Sequence, residues 1–188
     1  MSKLRAKTSY GFTLIETMIA MAILAIGVTG VTNVMISVTR LAAINEDSTI
    51  ATYLAQEALE LVRNGRDAHW RKDEPWDADW VCTGSSSVCL YIYTLNQSGQ
   101  VSYSNLPGDK IFGQLPARVD RYANGLYHNH SGAALTEETK FYRAVQVELN
   151  NADYPQGVII TAIVEWRNQR GDIDKVELKE VLYDWQPL

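Results

Sequence analysis

The chain has 188 residues, 46% of them apolar and 21% charged, which is the balance of a folded protein with room for one ordinary domain and an appendage. Its formal net charge of −5 becomes −8 for residues 12–188, because Lys3, Arg5 and Lys7 are set aside, and an acidic body argues against a nucleic-acid surface. Three histidines, no Gly-rich phosphate loop and no nucleophile spaced with a base and an orienter give no basis for an enzyme or a cofactor site.

The first segment, "MSKLRAKTSYG", is basic and carries no acid. Residues 17–39 then contain no Asp, Glu, Lys, Arg or His. As a helix those residues extend roughly 35 Å, enough to cross a ~30 Å hydrocarbon core. A basic flank ahead of such a span stays in the cytoplasm, so the reading is a single pass, amino end inside and the remainder exported. One carboxylate, Glu16, stands at the start of this uncharged run, where an acid is costly unless paired.

The apolar segment does not end in a turn. Past Arg40 there is no proline, and Ile50, Leu54, Ala58, Leu61 and Val62 recur at helical spacing, so the helix is expected to leave the membrane and present an apolar stripe. Gly65, after Arg63 and Asn64, is the expected stop, giving a helix over 12–64. Gly27, Gly30 and the "NEDST" stretch at 45–49 are its weak points.

After Asp67 the character changes. Trp70, Trp76 and Trp80 sit among charges and a proline, as in a loop that folds its aromatics back onto a domain, and a strand follows over 88–95. The two cysteines, Cys82 and Cys89, fall on the exported side, where thiols are oxidised, so a disulfide is expected. Closing so short a loop contributes roughly 2.5 kcal/mol in the chain-entropy account, which pins a local loop and not the whole fold. Residues 96–139 carry mostly turn signals with one or two short strands. Three strands are expected over 140–151, 157–169 and 172–185, joined by short turns as an antiparallel meander. In the middle one Ile160, Ala162, Val164 and Trp166 share a face, and the helix stripe is the apolar surface available to cover it. The fold class is therefore α+β, a long helix packed on a C-terminal antiparallel sheet.

Three patterns invite sharper readings. His128 and His130, with His69, could ligate a metal, but an exposed polar turn explains them better, and no metal site is assigned. Asp73, Glu74, Asp77 and Asp79 lack the alternating pattern of a Ca²⁺ loop and read as a solvated loop. "RGD" at 170–172 lies in a strand connection and reads as a turn.

The stretch "GFTLIETMIAMAILAIG" resembles the amino-terminal signature of the type IV pilin superfamily: a short basic leader ending in glycine, then phenylalanine, then an acid at the fifth mature position. "AILAIGVTG" followed by "ATYLAQEALELVRNGRD" is similar to V-type minor pilins and to the I-type pseudopilins of type II secretion. The resemblance implies cleavage between Gly11 and Phe12 by prepilin peptidase, N-methylation of Phe12 by the same enzyme, and pairing of Glu16 with the amino terminus of a neighbouring subunit. It divides the chain into a leader (1–11), a transmembrane and assembly helix (12–39), its amphipathic continuation (40–66) and an exported globular domain (67–188). The partners implied are other pilin or pseudopilin subunits, the peptidase, the inner-membrane assembly platform, and the membrane before assembly. The chain departs from major pilins in having Asn33 where they commonly place a helix proline, which favours a minor subunit. A type II secretion pseudopilin shares every motif. A membrane-anchored ligand-binding domain that joins no filament is the reading from another class.

Overall fold

The computed structural model describes residues 11–78, 80, 88–95, 101–106, 108, 110–121, 127–129, 137–149, 153 and 157–184. The chain divides into two compact units, Met1–Asn45 and Glu46–Leu188. Helix α1, Leu14–Trp70, is continuous over 57 residues and contributes to both. Neither the paired glycines nor the "NEDST" stretch breaks it.

In the first unit every residue over 11–42 is exposed. In the second, one stripe of α1 is buried: Ala51, Leu54, Ala55, Ala58, Leu61 and Val62. Three of these are alanines at 0–1% exposure, which lets the helix backbone come close to the sheet. They join Val145, Val147, Ile160, Ala162, Val164 and Trp166 in the main core, so the face expected to meet the helix does so.

Among the described residues seven strands form one antiparallel sheet: β1 Val88–Leu95, β2 Val101–Asn105, β3 Arg118–Arg121, β4 Tyr127–Asn129, β5 Glu137–Glu148, β6 Gly157–Arg167 and β7 Ile173–Tyr183. β5 is the hub. Along one side it pairs with β6 from Phe141↔Trp166 to Glu148↔Ile159, and β6 pairs in turn with β7 as the expected meander. Along the other side its first half takes β3 (Arg118↔Tyr142) and its second half β1 (Tyr91↔Val145). β2 then lies on β1, and β4 on β3. On the face away from the helix, Leu106, Ile111 and Ala117 cover Leu90, Ile92, Ala144 and Ile163 in a smaller core. The backbone N–H of Phe112 donates to Glu165 Oε2 at 2.9 Å and fixes this covering segment.

Three expectations need correction. The helix runs past Gly65 and includes Trp70. Trp70 is buried and the Arg66 guanidinium stacks 4.4 Å above its ring, gains that exceed the ~1 kcal/mol cost of an interior glycine. The stop lies instead at Asp73, whose φ of 56° is left-handed; its N–H donates to the Trp70 carbonyl and that of Glu74 to the His69 carbonyl, the paired bonds of a Schellman ending. Among the described residues the 96–139 region holds three strands and part of a fourth rather than one or two, because β3 and β4 are only four and three residues long, and β3 relies on β5 and β4 on β3 for its pairing. Finally, His128 is not in an exposed turn: it is buried in β4 with Nδ1 2.8 Å from the Asn129 carbonyl oxygen. His130 lies outside the described residues.

The remaining aromatics and turns follow the reading more closely. Trp80 is buried, its indole N–H donates to the Tyr93 hydroxyl at 2.9 Å, and Trp76 meets its ring edge-on at 5.2 Å. Asp73, Glu74 and Asp77 are exposed, whereas Asp79 lies outside the described residues. Arg170, Gly171 and Asp172 form the exposed β6–β7 turn, with Gly171 at φ 93° and the Asn168 side-chain oxygen accepting from the N–H groups of Arg170 and Asp172.

Candidate assembly site at the amino end

The amino end of α1 is organised by Thr13. Its side-chain oxygen accepts the N–H of Glu16 at 3.3 Å, and its carbonyl accepts the N–H of Thr17 at 3.2 Å, so Thr13 is the N-cap and Glu16 the third helical residue. Thr-x-x-Glu is the spacing of a capping box, a local signal legible in the sequence that the reading above missed. The cap fixes where the helix begins. It therefore holds the Glu16 carboxylate within one turn of Phe12, at the end of the helix where backbone N–H groups favour negative charge.

Among the described residues nothing covers this end. Phe12 is 82% exposed and Glu16 is exposed, and no described atom lies within 4 Å of where a Gly11 side chain would begin, so the backbone at Gly11–Phe12 is open among the described residues. The run that follows has a mean hydropathy of 2.1 over its most apolar 18-residue window, none of it buried. Bare apolar surface on that scale needs lipid or other helices around it. An acid at the head of an apolar helix is costly in hydrocarbon unless a cation pairs with it.

Within the second unit, ion pairs lock the second half of α1 to the sheet. Asp47 meets Lys140 at 2.6 Å, Glu57 meets Arg143 at 2.9 Å, and Arg63 meets Glu180 on β7 through both Nε and Nη2, at 3.0 and 2.6 Å. Arg143 is the buried one, at 1% exposure; burial pushes its pKa down, and the Glu57 carboxylate offsets part of that. Sequence reading missed Arg143, since an arginine between strand residues reads as solvent-facing.

The sequence-predicted residues thus fall in separate places. Gly11, Phe12 and Glu16 come together at the head of α1. Cys89 is buried at the start of β1 and is not a free thiol, whereas Cys82 lies outside the described residues. Among the described residues no group of three or more His, Cys, Asp and Glu side chains is arranged to hold a metal ion.

Residues 6–32 match the prokaryotic N-terminal methylation motif. That match places a type IV pilin-type signature on the same residues that carry the cap, the acid and the start of the apolar run. No curated protein and no solved structure matches the chain.

Proposed function

We propose that this chain, which opens on a pilin-type amino terminus, is a minor pilin of a type IV pilus: a structural subunit, not an enzyme, built into the fibre at or near its tip. Prepilin peptidase cuts between Gly11 and Phe12 and methylates Phe12. The cleaved, still cationic amine and the capped Glu16 then pair between neighbouring subunits as the helices bundle. Before assembly the subunit sits in the inner membrane with its amino end in the cytoplasm, residues 12–39 in lipid and the globular domain exported. Cys82 and Cys89 form a disulfide there. The observation that carries this reading is the coincidence, at one helix end, of the methylation motif with an N-cap that holds Glu16 beside the cleavage point.

The test is mass spectrometry of the amino-terminal peptide from membranes and from sheared surface filaments. An N-methylated Phe12 in the sheared material supports the minor pilin. Methylated Phe12 confined to the cell envelope supports the periplasmic pseudopilus of a type II secretion system instead.

The anchored ligand-binding domain has one feature in its favour. On the sheet face away from the helix lies a cleft of about 430 Å³, with Leu90 and Ile163 on its floor and Gln146, Glu165, Lys175 and Glu177 around it. That size suits a small ligand. This reading predicts an intact leader, residues 1–11, on the mature protein and no effect of replacing Glu16.

A further inference from the structure

Six polar side chains interrupt the uncharged run over 17–39: Thr17, Thr29, Thr32, Asn33, Ser37 and Thr39. All five hydroxyls are satisfied within the helix. Thr17 donates to the Leu14 carbonyl at 2.7 Å, Thr32 to Val28 at 2.9 Å, Ser37 to Asn33 at 3.0 Å, Thr39 to Ile36 at 2.9 Å, and Thr29 to Ala25. The exception is Asn33. Its carboxamide is exposed and has no hydrogen-bond partner among the described residues.

Depth makes this matter. With Val28 at the centre of the run, Asn33 lies five residues on, about 7.5 Å from the midplane of a ~30 Å core and about as far from its edge. A side chain with one methylene cannot reach water from there, unlike a lysine or arginine. An amide left bare in hydrocarbon is costly, and the remedy open to it is a partner on another helix. Thr29, Gly30 and Ser37 lie four and three residues before and four after Asn33, so its stripe is made of small side chains that allow two backbones to approach.

We infer that Asn33 is an interhelical hydrogen-bonding site through which two copies of this chain pair in the bilayer before either enters a fibre. The partner is a second copy for two reasons. Copies inserted with the same orientation run parallel, so Asn33 meets Asn33 at equal depth. A carboxamide is also self-complementary, each N–H group donating to the other's carbonyl, whereas a carboxylate offers acceptors alone and an ammonium donors alone. This inference rests on the membrane-spanning reading proposed above.

The experiment uses the full chain, labelled at its carboxyl end with donor or acceptor fluorophores and reconstituted in phosphatidylethanolamine–phosphatidylglycerol vesicles, with energy transfer followed as the protein is diluted in lipid. Wild-type chain should show specific transfer, Asn33→Leu should weaken self-association about tenfold, and Asn33→Gln should restore it. Val31→Leu, on the opposite face, should leave it unchanged. Alkaline carbonate extraction separates the two ways of failing. Release of the chain from vesicles overturns the spanning reading and this inference with it. Retention of both wild type and Asn33→Leu with equal transfer overturns the role of Asn33 alone, and transfer that appears only when a different pilin-type subunit is added overturns the second copy as partner.

Discussion

Replacing Glu57 by alanine isolates the buried ion pair between α1 and β5. The Arg143 guanidinium donates from Nη1 to Glu57 Oε2 at 2.9 Å and to the Leu54 carbonyl at 3.3 Å, and from Nε to Asn129 Oδ1 at 3.1 Å. Nη2 has no partner among the described residues, so little neutralises the charge once Glu57 is gone. Breaking a fully buried pair from one side costs about 3–5 kcal/mol. The Glu57 side chain is 38% exposed, however, so water already screens part of the interaction, and the expected loss is about 2–3 kcal/mol. The neighbouring Asp47–Lys140 pair sets the comparison: Lys140 is 46% exposed, and Asp47→Ala should cost only about 0.2–1 kcal/mol. The assay is urea unfolding of the detergent-solubilised full chain, followed by tryptophan fluorescence. With a slope of about 1–3 kcal/mol per molar, Glu57→Ala should lower the midpoint by about 0.7–3 M. Adding Arg143→Leu to Glu57→Ala should recover part of that, because an apolar side chain in place of a stranded cation removes the unpaired charge. Equal, small shifts for Glu57→Ala and Asp47→Ala would refute the claim that burial makes the first pair different.

Glu16→Leu should be inserted and cleaved yet be at least tenfold depleted from sheared filaments, as read by immunoblot; normal incorporation would sink the pairing of Glu16 with a neighbour's amine. Alkylation of the exported protein under non-reducing conditions should label neither Cys82 nor Cys89, and labelling of both would end the disulfide proposal. Gly157→Ala should destabilise the domain by about 1 kcal/mol. A Cβ there would lie 2.8 Å from the Tyr183 ring and 2.9 Å from Val181 Cγ1, so adding Tyr183→Ala should recover part of the loss in the same urea assay, and no recovery would place the strain elsewhere.

Long periodic elements were legible in the sequence and short ones were not. β1, the meander of β5, β6 and β7, and all of α1 but its end were expected within a few residues of their observed bounds, because their apolar residues repeat over enough turns or strand residues to define a face. β3 and β4 are too short to carry a repeat; β3 is placed by pairing with β5, which comes later in the chain, and β4 by pairing with β3. The helix end was misjudged for a different reason: asparagine, glycine and a cation make a local stop signal, but tertiary burial of Trp70 outweighs it and Asp73 takes the left-handed position a glycine usually fills. The head of α1 was the most legible part of the site, since the basic flank, the Gly11–Phe12 pair, the cap and the acid all lie within the first sixteen residues. Arg143 and His128 were the least legible, because their burial depends on partners far off in sequence, Glu57 and the β3–β4–β5 register.

The order in which the core is assembled bears on how the chain is made. The stripe of α1 that ends at Val62 is covered by β5, β6 and β7, the last strands to be synthesised. At about 5–20 residues per second, the roughly 120 residues from Val62 to Leu182 take about 6–24 s to emerge. For that interval a nascent helix carries Leu54, Leu61 and Val62 with no sheet to receive them, next to a span that is itself apolar. Such a chain needs a holdase or the membrane surface to occupy the stripe until β5 arrives, and loss of that shelter should trap the subunit as aggregate before any fibre is attempted.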